Sequence, residues 1–250
     1  MPVNNILKYP QSTIVSRVVP KTMFYKFMEV NPRMKSRFVN DVVNITWLYK
    51  LSASTLNVTD SEDMKEIEVF VVNLKRRQTE SHQAGLNGRG AKEFGFAKQP
   101  DCPTDLFTFI DTNMPHHIVF VLVHDSSAML LINYKDWTDN THTKFKIRQA
   151  FASPWMPMAD LELSVQGLSL PRIYDNFVAQ ISGIGEHKAG AMADIVALKA
   201  KISKAEAELE SLQKKMRKEP QLDRQLAMNK QVKAKRKQLE ELKNKLENLK

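Results

Sequence analysis

Apolar residues recur through the last quarter of the chain at alternating spacings of three and four. Ile195, Leu198, Ile202, Ala205, Leu209, Leu212 and Met216 form one run. Val232, Lys235, Leu239, Leu242, Leu246 and Leu249 form a second, with one polar interruption at Lys235. A seven-residue repeat with an apolar seam predicts coiled-coil helix. The runs are out of phase, because the step from Met216 to Val232 does not fit the alternation. The break falls at Glu219-Pro220-Gln221, where proline removes a helical hydrogen bond and crowds the preceding turn. Two equal arms, each roughly 40 Å long at ~1.5 Å per residue, predict an antiparallel coiled-coil helical hairpin over 188–250. A single long helix with a kink and a stutter is the alternative.

Upstream the pattern changes. Thr22 to Met28 and Pro32 to Val39 read as helical pieces that bury Phe24, Phe27, Met28, Met34 and Phe38. Ile45 to Leu51 predicts a strand with Ile45, Trp47, Tyr49 and Leu51 on one face, and Ile67 to Leu74 a strand apolar on both faces, hence central. Half of the chain's 8 glycines lie at Gly85, Gly88, Gly90 and Gly95, which predicts a flexible insertion over 79–102. No Gly-Lys-Ser/Thr ends it, so it is not a phosphate loop. Thr104 to Asp111 predicts a helix, and Ile118 to Val123 and Met129 to Tyr134 two strands joined by a turn at His124-Asp-Ser-Ser127. Phe145, Ile147 and Phe151 alternate with Lys144, Lys146 and Arg148, as in a strand with one wet face. Leu161, Leu163 and Val165 predict one more short strand, and Pro171 opens a helix carrying Ile173, Tyr174, Phe177, Val178 and Ile181. Gly183 and Gly185 hinge to the tail. The expected fold is α+β over 1–187, a mixed sheet with flanking helices.

Charge sharpens this division. Residues 188–250 hold 17 Lys or Arg against 9 Asp or Glu, so +8 of the chain's net +9 belongs to the tail. The densest runs are Lys214, Lys215, Arg217 and Lys218, and Lys233, Lys235, Arg236 and Lys237, both near the break and so expected near the hairpin tip. A neutral body with a basic arm suits a polyanion, and these eight residues are the candidate phosphate contacts to double-stranded DNA. A solvated coiled-coil flank would carry similar lysines, and no aromatic residue is interleaved to stack on bases. The longest apolar run, Ile118 to Val123, is far short of the ~20 residues that span a bilayer. The start, Met1-Pro2-Val3-Asn4-Asn5, does not read as a signal peptide, and the single Cys102 excludes an internal disulfide. A cytoplasmic protein without a membrane association is expected.

Catalytic chemistry is sparse. His82, His116, His117, His124, His142 and His187 show no helical ligand spacing, and His116 and His117 open a strand with rings on opposite faces. Neither a metal site nor a cofactor is expected from them. Metal-dependent nucleases gather carboxylates beside a lysine, and Asp41, Glu66, Glu68 and Lys75 are the candidates here. Asn73 stands two before Lys75, so the acid-x-Lys form is broken and the expectation is a non-enzyme.

Several stretches together resemble a bacterial family of uncharacterised proteins, classed as a domain of unknown function. They are Pro10-Gln-Ser-Thr13, Ile45 to Val58, Glu66 to Lys75, Ile118-Val-Phe-Val-Leu122, Ile132-Asn-Tyr-Lys135, Trp155, Leu168 to Ile181 and Lys218 to Arg224. The resemblance implies a gene neighbourhood of DNA helicases and methyltransferases, as in restriction-like defence systems. The expectation is a non-catalytic accessory subunit docking such a helicase or methyltransferase. The alternatives are a divergent or degenerate Mg²⁺ nuclease and a homodimer zipped through Ile195, Leu198, Ile202, Leu209, Leu212, Met216, Val232, Leu239, Leu242, Leu246 and Leu249.

Overall fold

A computed structural model describes residues 6–75, 104–138, 145–185 and 191–249. The chain divides into two compact units, Met1–Ser182 and Gly183–Lys250. The expected boundary at 187, the Gly-rich insertion at 79–102, and the histidines at 82, 142 and 187 lie outside the described residues.

The first unit is built on a seven-stranded mixed sheet. Its strands are β1 (Ile14–Val19), β2 (Val42–Ser52), β3 (Glu66–Leu74), β4 (His117–His124), β5 (Ser127–Trp137), β6 (Phe145–Ala152) and β7 (Met156–Pro157). They lie in the order β1-β2-β3-β4-β5-β6, with β7 beside β5. Every pairing is antiparallel except β3 with β4, which run parallel. The helix α4 (Thr104–Thr112) lies between these two in sequence, as a parallel connection requires. β3 and β4 are buried on both faces, which is why they read as continuous apolar runs.

Residue parity separates the two faces. Phe70, Val72, Ile118, Phe120, Leu122 and Leu131 form one core with Leu106, Phe107 and Ile110 of α4 and Phe38 of α2 (Pro32–Asp41). Phe107 and Phe120 meet at 5.1 Å between ring centroids. Phe24 of α1 (Lys21–Phe27) stacks on Phe38 at 5.4 Å. The α2 helix starts where Asn31 Oδ1 accepts the Met34 N–H at 2.9 Å ahead of Pro32. Val69 and Val71 point to the opposite face, where α5 (Leu170–Ser182) buries Ile173, Tyr174, Phe177, Val178 and Ile181. There Tyr9 stacks on Phe177 at 6.4 Å and meets Tyr49 at 5.0 Å.

Three expectations change. Ile14–Val19 is an edge strand the pattern did not predict; Ser16, Arg17 and Val18 are exposed and the register shifts between Ile14 and Arg17. In β2 the register shifts between Trp47 and Tyr49, so Leu48 and Tyr49 are both fully buried and the alternation breaks. Leu161 to Val165 is not a strand; Leu161 and Leu163 are buried in irregular chain, held where the Tyr9 hydroxyl donates to the Leu163 carbonyl at 2.7 Å.

The second unit is two long helices, α6 (Met192–Lys218) and α7 (Leu222–Glu247), packed on each other. Glu219 and Gln221 are extended around Pro220, so the helix stops at the predicted break and the single kinked helix is excluded. Lys235 reaches Glu208 at 2.6 Å and Lys243 reaches Glu206 at 2.8 Å. Partner numbers that fall on one helix as they rise on the other define an antiparallel pair. The seam positions Ile202, Ala205 and Val232 are buried while their neighbours are exposed. Among the described residues no helix is long and apolar enough to cross a membrane.

Candidate functional site

Two carboxylates, Glu66 and Glu68, stand at the start of β3. Alternation along a strand puts both carboxylates on the α4 face. In the antiparallel neighbour β2, Lys50 pairs in register with Glu68, and its ammonium reaches diagonally to form an ion pair with Glu66 Oε2. In the parallel neighbour, Ile67 lies beside His117 and Glu68 beside Ile118, which leaves His116 next to Glu66. His116 Nε2 lies 3.0 Å from Glu66 Oε1. One ligand atom each from Glu66, Glu68 and His116 lies within 4.8 Å of the other two.

Behind this cluster is a buried ion pair. Lys135 Nζ meets Asp111 Oδ1 at 2.7 Å, with the two side chains 2 % and 0 % exposed. The same ammonium donates to the Met114 carbonyl at 2.8 Å and the His116 carbonyl at 2.6 Å. Asn133 Nδ2 donates to Asp111 Oδ2 at 2.9 Å, and the Tyr174 hydroxyl donates to the Asn133 carbonyl at 2.5 Å. His117 turns to the other face, where its ring meets Tyr174 at 4.5 Å, as expected for adjacent strand residues.

Burial dominates the electrostatics. It pushes the Glu68 carboxyl up to about 7, with Glu66 adding to it and Lys50 and Lys135 opposing. It pushes Asp111 up to about 6 against the pull of Lys135 and Asn133. His117 falls to about 3 through burial and then the nearby Lys135 charge. His116 is lowered by burial, with Glu66 opposing and Lys50 and Lys135 adding to the fall. Glu68 also borders an apolar cavity of about 300 Å³ walled by Phe24, Met28, Trp47, Phe70 and Met114, with Arg17 at its edge.

Of the four nuclease candidates the fold brings together two. Glu66 and Glu68 converge, whereas Asp41 and Lys75 sit at the other end of β3, roughly 25 Å away at ~3.3 Å per residue. There the Lys75 N–H donates to the Asp41 carbonyl at 2.9 Å and Asp41 pairs with Arg37 at 3.0 Å. Asn73, at the broken acid position, donates its amide to Asn44 Oδ1 at 2.6 Å. Lys50, Asp111, Asn133 and Lys135 were not singled out as site residues from sequence, and His116 was considered there but set aside as a ligand. A signal existed for two of them: Lys135 lies in β5 in phase with the inward Met129 and Leu131, and Asp111 lies on the apolar face at the end of α4.

On the arm, Lys214, Lys215, Arg217 and Lys218 do lie at the end of α6, beside the turn. Lys233, Lys235, Arg236 and Lys237 do not; they begin eleven residues into α7, roughly 17 Å from its start at ~1.5 Å per residue. Lys235 is partly covered and pairs with Glu208, while Lys214 pairs with Glu210 at 2.6 Å. Lys215, Arg217, Lys218, Lys233, Arg236 and Lys237 are exposed.

No curated protein and no solved structure gives a significant match to this sequence. One family does, over residues 7–239, which takes in the sheet, its helices and most of the arm. The chain therefore belongs to the family described as Domain of unknown function (DUF4391).

Proposed function

We propose that the chain is a non-catalytic, DNA-directed accessory subunit whose basic arm lies against the phosphate backbone. The observation that carries this reading is the surface of the arm. Its acids at Glu206, Glu208 and Glu210 are taken up in ion pairs with Lys243, Lys235 and Lys214, while Lys215, Arg217, Lys218, Lys233, Arg236 and Lys237 are among the further cations exposed on the same two helices. Phosphate contacts of this kind position a protein without reading sequence. The arm is a coiled coil in this reading, and the α+β body docks a helicase or methyltransferase of a restriction-like defence complex in the cytoplasm. That second half rests on the family resemblance.

The test is affinity of the full chain for a short DNA duplex as a function of salt. Log affinity falls with log salt by about 0.9 per phosphate neutralised. Replacing Lys215, Arg217, Lys218, Lys233, Arg236 and Lys237 with Gln should flatten that slope by up to about 5. A slope unchanged by the six substitutions, or no binding at low salt, refutes the reading.

A further inference from the structure

We propose that Glu66, Glu68 and His116 form a binding site for a divalent transition-metal ion, of the Mn²⁺ or Zn²⁺ kind. Two carboxylates and one imidazole place donor atoms within 4.8 Å of one another, and a metal with ligands at about 2.0–2.2 Å would draw them closer together. The mixed oxygen and nitrogen donor set favours Mn²⁺ or Zn²⁺ over Ca²⁺ and Mg²⁺, whose sites are built from oxygen.

A second observation points to a missing ligand. Glu68 is 4 % exposed, yet its Oε2 is buried with no hydrogen-bond partner among the described residues. Buried carboxylate oxygens are expensive to leave unpaired. Lys50 does not fill this need, because its ammonium is engaged by Glu66. Lys135 does not fill it either, being tied to Asp111 and two carbonyls. A dication beside Glu66 and Glu68 would give that oxygen its partner. The His116 side chain is 38 % exposed, which leaves an entry from solvent.

The surrounding shell is consistent with a held site. Lys135 clamps the His116 carbonyl at 2.6 Å and so fixes the backbone that carries the imidazole, a positioning role. Lys50, with its side chain 42 % exposed, is free to swing out, and it competes with the metal for Glu66.

Titration calorimetry of the full chain with MnCl₂ and with ZnCl₂ tests the site. One equivalent should bind. Glu68→Gln and His116→Ala should each weaken binding at least tenfold, while Asp60→Asn, an exposed acid elsewhere, should leave it unchanged. Lys50→Met keeps all three ligands and removes the competing charge, so it should tighten binding several-fold. This variant also keeps the test decisive if an exchanged ligand unfolds the chain. Absence of binding by the parent overturns the proposal. So does equal binding by Glu68→Gln and His116→Ala, or a Lys50→Met variant that binds no more tightly than the parent.

Discussion

Replacing Lys135 with Met removes the ammonium that joins α4, β5 and the segment leading into β4. Two carbonyls lose their donor and Asp111 its ion partner at once: Met114 at 2.8 Å, His116 at 2.6 Å and Asp111 Oδ1 at 2.7 Å. Water cannot substitute easily, because both charged side chains are essentially inaccessible. Removing one partner of a buried pair costs about 3–5 kcal/mol. Methionine fills much of the space of the lysine stem, so little of that cost is cavity. At a urea m-value of about 2 kcal/mol per molar, the unfolding midpoint should fall by roughly 1.5–2.5 M. Removing both charges, with Lys135→Met and Asp111→Leu together, should recover much of the loss.

The pH dependence gives an independent check on the same pair. Burial already holds Asp111 up to about 6, above its ordinary range near 3.9. The folded chain therefore binds an extra proton in that window, and stability falls as pH rises through it. Without Lys135 the carboxyl moves higher, so the window widens upward. Lys135 is itself held below its ordinary value by burial, which makes wild-type stability rise at high pH and works in the same direction. The deficit of Lys135→Met should thus be larger at pH 8 than at pH 5, and the double variant should lack that widening. A loss under about 1 kcal/mol, small for a buried pair, or a deficit equal at both pH values, would refute the reasoning.

Other perturbations probe separate features. Tyr174→Phe removes a buried hydroxyl that bonds the Asn133 carbonyl at 2.5 Å and the Lys135 N–H at 3.2 Å, and should cost about 1–3 kcal/mol in urea melts; a loss within error counts against it. Asn57 ends the short helix α3 (Ala53–Leu56) at φ 55 and ψ 49. Asn57→Gly should be nearly neutral, whereas Asn57→Val should lose about 1–2 kcal/mol in the same assay. Val232 is 3 % exposed on α7, so Val232→Asp buries a charge in the arm seam. It should lower the helical signal in far-ultraviolet circular dichroism, and an unchanged spectrum would show that α6 and α7 do not depend on that seam.

Legibility in the sequence followed how local each interaction is. Ile67 to Leu74, Ile118 to Val123 and Met129 to Tyr134 were readable as strands because both faces are buried and all but Glu68, Asn73 and Asn133 are apolar or aromatic. The edge strand at Ile14–Val19 was not, since Ser16, Arg17 and Val18 face water and Ser16 has a φ of 52°. The alternation of Ile45, Trp47, Tyr49 and Leu51 misled because one extra residue, Leu48, sits in a bulge that resets the phase. The hairpin was visible through its seven-residue period and Pro220. Glu66 and Glu68 could be placed on one strand face by parity alone. Their partners could not: Lys50 arrives through antiparallel register and His116 through parallel register, neither of which is written locally. Asp41 and Lys75 looked eligible because strand length, not sequence distance, separates them from the cluster.

The single parallel seam between β3 and β4 has a consequence for how the molecule assembles. The meander β1-β2-β3 and the meander β4-β5-β6 each pair strands adjacent in sequence, which is kinetically local. Joining them requires closing the span 75–116, at an entropic cost of roughly 3 kcal/mol. Glu66 and Glu68 belong to the first half, whereas His116, Asp111 and Lys135 belong to the second. Neither half alone owns the cluster. It comes into being at the moment of closure, so a chain stalled with both meanders formed would have most of its secondary structure and none of its chemistry.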